Sequence, residues 1–124
     1  IREGKRELFV VDDKLGTPTY THDFANNVKL LLEKELWGLY NMVCGGITGR
    51  YEVATELVNV LNLSNSIKVT PVTSDYWKKE YFAERPPSER LIDKKLDIRG
   101  VNIMRDWKVC LKEYIDCYYQ DYLE

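Results

Sequence analysis

Phe9-Val-Val-Asp-Asp-Lys-Leu-Gly-Thr-Pro-Thr-Tyr-Thr-His-Asp23 passes from an apolar run, through a loop punctuated by Gly16 and Pro18, into a helical pattern. Phe9 to Val11 are β-branched or aromatic and stop at Asp12-Asp13, which predicts a short buried strand reaching its end. Pro18 pushes Thr17 into an extended conformation, and the hydroxyls of Thr19 and Thr21 are placed to cap a helix that opens near Asp23. Strand, shaped loop and capped helix form a corner of an α/β fold. Loops in that position also carry binding sites.

Outward from this unit the pattern recurs. Residues 22–35 place Phe24, Val28, Leu31 and Leu32 on one helical face. Residues 39–44 read as a second strand, and Gly45-Gly46-Ile-Thr-Gly-Arg50 joins it to a helix over 51–62 whose Ala54, Leu57, Val58 and Leu61 share a face. Residues 67–72 alternate as a third, half-exposed strand, with Pro71 marking an edge or an end. Residues 74–82 predict one or two helical turns, and Pro86-Pro87 exclude a regular element. A short helix is expected over 91–96 and a last one over 105–123, with Trp107, Leu111, Tyr114, Tyr118 and Tyr122 along one stripe and Asp106 in its first turn. The expectation is one α/β domain over 1–124 with about three short strands, running parallel, and packed helices.

A chain of 124 residues can bury a stable core without staples. Its net charge of -2, with 31% charged residues of both signs interspersed, offers no basic face to displace the counterions of a nucleic acid. Cys44, Cys110 and Cys117 are odd in number and lack metal-ligand spacing, and His22 cannot complete a zinc site with them. They read as reduced thiols of a cytoplasmic protein. No apolar run approaches the ~18 residues of a membrane span. Residues 1–7 look like the tail of a helix stopped by Gly4, so the chain reads as a piece of a longer protein.

Single residues leave alternatives. Gly45-Gly46-x-x-Gly49-Arg50 invites comparison with a phosphate loop, but it is GGxxG, without a following Lys-Ser/Thr, and a tight turn capped by Thr48 explains it better. Arg85, on the loop stiffened by Pro86 and Pro87, is suited to bidentate phosphate binding, and equally to a surface pair with Glu84 or Glu89. Arg90 either assists it or is solvated. His22 reads as a solvated or capping residue. Tyr76, Trp77, Tyr81 and Phe82 either line a pocket or cover a neighbouring element. Asp12-Asp13 suits a cation or a strand-end turn. No nucleophile, acid and base pair or metal cluster stands out.

Taken together, Val10-Val-Asp-Asp-x-x-Gly16-x-Pro-Thr-Tyr-Thr-x-Asp23-x-Ala25, Gly38-Leu-Tyr-Asn, Tyr51-Glu-x-Ala54, Ala83-x-Arg-Pro86 with Leu91, and Asp106-Trp107-x-x-x-Leu111 resemble the C-terminal part of the dTDP-4-dehydrorhamnose reductase family, which are extended short-chain dehydrogenases. The resemblance implies the substrate-binding part of a Rossmann-like enzyme that reduces the C4 keto group of a dTDP-6-deoxyhexose with NADPH or NADH, towards dTDP-L-rhamnose. The family's cofactor loop and Tyr-x-x-x-Lys pair belong to an N-terminal Rossmann part, so this chain alone is expected to be inactive and to bind no cofactor. Arg85 carries over as a nucleotide-diphosphate or sugar contact, and the loop from Gly16 to Tyr20 as a wall of the cleft, with Thr19 and Lys14 as further substrate-binding candidates. Lys14 stands where the family usually has Gln, Glu89 where Ser, Ile92 where Asp, and Arg105 where Pro is common. These departures keep a second reading open: a non-catalytic nucleotide-sugar-binding or regulatory subunit of the same fold. The surface that faces the Rossmann part predicts an exposed apolar patch or self-association.

Overall fold

The computed structural model describes residues 3–79 and 85–119. Strand β1 (Glu7–Val11) leads to helix α1 (Thr21–Glu33), and α2 (Arg50–Val60) leads to strand β2 (Lys68–Val72) and a single 3-10 turn (Ser74–Trp77). Helices α3 (Lys94–Ile98) and α4 (Trp107–Tyr118) follow. The strands pair in parallel, in register from Glu7 opposite Lys68 to Val11 opposite Val72. A parallel pair needs a crossover, and α1 and α2 lie within it. The α/β class and the parallel direction are as expected.

The ladder explains Pro71. Lys68 donates from its backbone to Arg6, and Asp12 donates to Val72. By alternation, Lys68, Thr70 and Val72 aim their backbone groups at β1, while Pro71, which lacks an N–H, faces the open edge. At the end of β1, Asp13 accepts from the Ser74 amide at 3.0 Å and from its hydroxyl at 2.8 Å. These bonds hold the Asp13 carboxyl below the usual carboxylate range. The strand-end reading of Asp12-Asp13 is therefore the one the geometry favours for Asp13.

The expected middle strand is absent: the sheet has two strands, and residues 39–44 take no ladder. Side chains serve this backbone instead. Asp93 accepts from the Val43 amide at 3.0 Å and Lys95 donates to the Leu39 carbonyl at 3.0 Å, while the segment's own Cys44 Sγ accepts from the Tyr20 backbone amide at 3.3 Å. Only at its end does the segment bridge, where Gly45 pairs with Asp106. Burial pushes the Asp93 carboxyl upward, and the Val43 amide partly offsets that.

The helices differ from their expected faces in an informative way. In α1, Leu31 is buried, but Phe24 and Leu32 are exposed while Asp23 and Asn27 point inward. Its N-cap is Tyr20, with no side-chain cap, so neither Thr19 nor Thr21 plays the expected role. The N-cap of α2 is Gly49, whose N–H donates to the Glu52 carboxylate at 2.8 Å, rather than Thr48. Helix α3 starts later than expected and sinks Leu96 completely. In α4, Asp106 is the cap and accepts from the Lys108 amide at 2.9 Å. Trp107, Cys110 and Ile115 face inward. Tyr114 and Tyr118 lie outside, and Tyr122 is beyond the described residues.

Two apolar clusters form the core. Tyr20, Cys44, Trp107 and Cys110 make one; Leu31, Leu96 and Val101 make the other, and half-buried Met104 packs against both. Among the described residues no helix is long and apolar enough to cross a membrane. Trp37, Leu39 and Ile98 stand largely in solvent.

Candidate functional site

Three loops that are far apart in sequence meet beyond the end of β1. Leu15 donates to the Pro87 carbonyl at 2.9 Å and accepts from the Glu89 amide at 2.9 Å. Gly16 donates to the Thr48 carbonyl at 3.0 Å, and the Thr17 hydroxyl donates to the Gly46 carbonyl at 3.2 Å. Isolated bridges join Leu15 to both Gly49 and Ser88. The loop after β1 is thus stitched on one side to residues 46–49 and on the other to residues 85–89.

Gly49 makes this approach possible. A Cβ there would lie 2.6 Å from the Lys14 carbonyl oxygen, a contact with backbone that no rotamer relieves. The GGxxG spacing that imitates a phosphate loop therefore serves close packing between loops. Because Glu52 already occupies the Gly49 amide, the start of α2 is not an open anion cradle.

Two basic residues meet at this juncture. Lys14 Nζ donates to the Arg85 carbonyl at 2.8 Å, which brings together two of the residues singled out in the sequence. The Arg85 guanidinium lies in solvent and reaches Glu89 at 3.4 Å, the surface pair that the sequence allowed. Such an exposed pair is worth about 0–1 kcal/mol, so an anionic ligand can take the guanidinium from Glu89 at little cost. Arg90 is exposed beside it, its amide donating to the Ser88 hydroxyl at 3.3 Å. Thr19 is exposed near the end of the same loop. Tyr20, expected in the wall, is instead in the core beside Cys44 and Trp107. Its hydroxyl is pushed up to about 12 by burial and by Glu113.

Behind the cleft lies a group that sequence reasoning missed. Asp23, almost wholly buried, receives Arg105 through Nε at 3.0–3.1 Å, Nη2 at 2.7 Å and the backbone N–H at 3.1 Å. Arg105 Nη1 also reaches Glu113 at 2.6 Å. The guanidinium holds both carboxyls below their usual range. Cys110 Sγ points at Asp23 from 3.3 Å and lies 3.7 Å from Cys44 Sγ. Burial first, then Asp23 and Cys44, pushes its thiol upward, so both cysteines behave as core residues.

The remaining candidates resolve into structure. His22 bridges the Tyr20 and Tyr118 hydroxyls, at 3.3 and 3.1 Å. Tyr76 stacks on Phe9 with ring centroids 5.5 Å apart and meets Trp77 edge-on, while Tyr81 and Phe82 lie outside the described residues. Among the described residues no group of His, Cys, Asp and Glu suits a metal ion.

A short parallel sheet with flanking helices, and three loops joined beyond the end of β1 with Lys14 and Arg85 among them, define an α/β unit. The family model described as the RmlD substrate binding domain matches residues 1–120. The chain belongs to that family. It is 33% identical over 115 residues to the spore coat polysaccharide biosynthesis protein SpsK of Bacillus subtilis (strain 168), covering 93% of this chain and 38% of that protein. Among solved structures it is similar to a dTDP-4-dehydrorhamnose reductase from Clostridium acetobutylicum ATCC 824, with 34% identity and a TM-score of 0.83 over 94% of this chain and 40% of that one. The reductase of the same name from Bacillus anthracis str. Ames, in complex with NADP, matches with 25% identity and a TM-score of 0.81, again over 94% and 40%. The chain spans about two-fifths of the length of these relatives.

Proposed function

We propose that this chain is the substrate side of a sugar-nucleotide reductase acting in the cytoplasm on the C4 keto group of a dTDP-linked 6-deoxyhexose, in the route to dTDP-L-rhamnose. Hydride and proton come from an N-terminal Rossmann part of the same protein. NADPH is the preferred donor in this reading, by analogy with the NADP held by the Bacillus anthracis relative. The chain alone binds the sugar nucleotide without reducing it.

The observation that carries the reading is the juncture of Lys14 and Arg85 in a chain whose residues 1–120 match a substrate-binding family. Arg85, held by a loop bonded to Leu15 on both sides of Ser88, presents a guanidinium to solvent with its backbone already fixed. In the proposal it grips the diphosphate, which a planar fork does bidentately. Lys14 adds a point charge to the same group, and Thr19 donates a hydroxyl to the nucleotide or the sugar.

Calorimetric titration with dTDP tests this assignment. Wild-type chain binds saturably, and Arg85→Ala weakens binding roughly 10- to 100-fold, the ~1.5–3 kcal/mol of hydrogen bonds to a charged group. Equal affinity in the variant removes Arg85 from the site.

A further inference from the structure

The loops must be held against something, and the pair of buried Asp23 and partly exposed Arg105 is connected to them bond by bond. Arg105 is fixed at its side chain and its amide by Asp23. Its carbonyl, the remaining backbone group, accepts from the Gly45 amide at 2.9 Å, and the Gly45 carbonyl in turn accepts from the Trp107 amide at 3.1 Å. The next residue, Gly46, has φ +96° and leaves no room for a Cβ, which would lie 2.7 Å from Trp107 Cδ1. Gly46 then gives its carbonyl to the Thr17 hydroxyl, and Thr48 gives its own to the Gly16 amide. The path from carboxylate to cleft wall is continuous, and each step is a hydrogen bond or a covalent neighbour.

We propose that Asp23 and Arg105 are a positioning pair for the cleft: they set the residue 45–49 loop and, through Thr17 and Gly16, the wall that carries Lys14. The choice of residues fits that task better than it fits stability alone. Asp23 is buried while the Arg105 side chain stays 41% exposed, so desolvation of the carboxylate and solvent screening of the guanidinium offset most of the attraction. What a bidentate pair supplies is a defined orientation. Here one residue ties the first turn of α1 to the entry of α4, with Glu113 as a second brace on the same guanidinium. The effect on ligand affinity rests on the function proposed above. The effect on the loops does not.

The experiment is paired for that reason. Amide hydrogen exchange and dTDP titration are carried out on the wild-type chain, Arg105→Lys and Arg105→Gln, with Leu96→Ala as a variant destabilised in the other core cluster. If positioning is the role, Arg105→Lys speeds exchange at Gly16, Gly45 and Trp107 at least tenfold while amides of β1 and β2 keep their protection. Leu96→Ala lacks that local pattern. Where wild type binds dTDP, both Arg105 variants lose fivefold or more in affinity even at temperatures where they are fully folded. Unchanged exchange at these three amides overturns the proposal, as does unchanged affinity in a variant whose wild type binds. Should wild type fail to bind dTDP, the function proposed above fails and the exchange result alone decides this inference. Arg105→Lys keeps the test open if Arg105→Gln does not fold.

Discussion

Asn27 has no exposed surface, and its side-chain amide holds two points of the segment that leads into α4: Nδ2 donates to the Val101 carbonyl at 3.1 Å, and Oδ1 accepts from the Ile103 amide at 3.1 Å. One helix side chain thereby does for residues 101–103 what a neighbouring strand would otherwise do. Asn27→Ala leaves a backbone donor and an acceptor without these partners, at a cost of roughly 2–4 kcal/mol. Urea denaturation of the variant measures the loss. A change below ~0.5 kcal/mol would show that water replaces the amide freely.

Asp23 and Asp93 oppose each other in pH. Arg105 lowers the Asp23 value in the folded state, so its contribution is fully present above the unfolded value of ~4 and is lost as pH falls through the lower folded value. Burial raises Asp93, so its contribution is present below ~4 and is lost as pH rises through the folded value. Asp23→Asn is therefore expected to flatten the loss of stability on acidification. Asp93→Asn, which keeps an oxygen for the Val43 amide, should raise the melting temperature at pH 7. Thermal melts from pH 3 to 8 check both signs; a lower melting temperature for Asp93→Asn at pH 7 refutes the second.

How much of this was legible beforehand depends on where the information lies. Both strands and the helices over 21–33, 50–60 and 107–118 follow from local apolar periodicity, the end of β1 from Asp12-Asp13, and the open edge of β2 from Pro71. The segment over 39–44 has the composition of a strand, yet its backbone bonds to the side chains of Asp93 and Lys95. No local pattern encodes such partners. The inward turn of Asp23 and Asn27 was hidden for the same reason: a polar residue on an apolar stripe looks like a boundary until its partner, 82 residues on for Asp23, is in place. Arg85 and Lys14 were singled out separately, one by its proline-stiffened loop and one by resemblance. Their meeting across 71 residues is a fact of the fold alone.

The cysteines separate cleanly by access. Cys44 and Cys110 are buried and Cys117 is exposed. A thiol reagent should titrate one group in the native chain and all three in denaturant, since buried thiols do not meet the reagent. Rapid native modification of Cys110 would contradict the packing of α4 against Asp23 and Cys44.

Gly49→Ala tests the closeness of the loops. The added methyl meets the Lys14 carbonyl, so the loop carrying Lys14 must shift or the chain loses about 1–3 kcal/mol, as in overpacked cores. Chemical denaturation and dTDP affinity of the variant, measured together, show which occurs. An unchanged value for both would mean that the loops do not pack as closely as 2.6 Å implies.

Backbone amide shifts on addition of dTDP to isotopically labelled wild-type chain test the central claim most directly. The account predicts saturable shifts concentrated at residues 14–19, 45–49 and 85–90, with α3 and the outer face of α4 silent. Saturable shifts centred on α3 or α4, or none at millimolar dTDP, would contradict it.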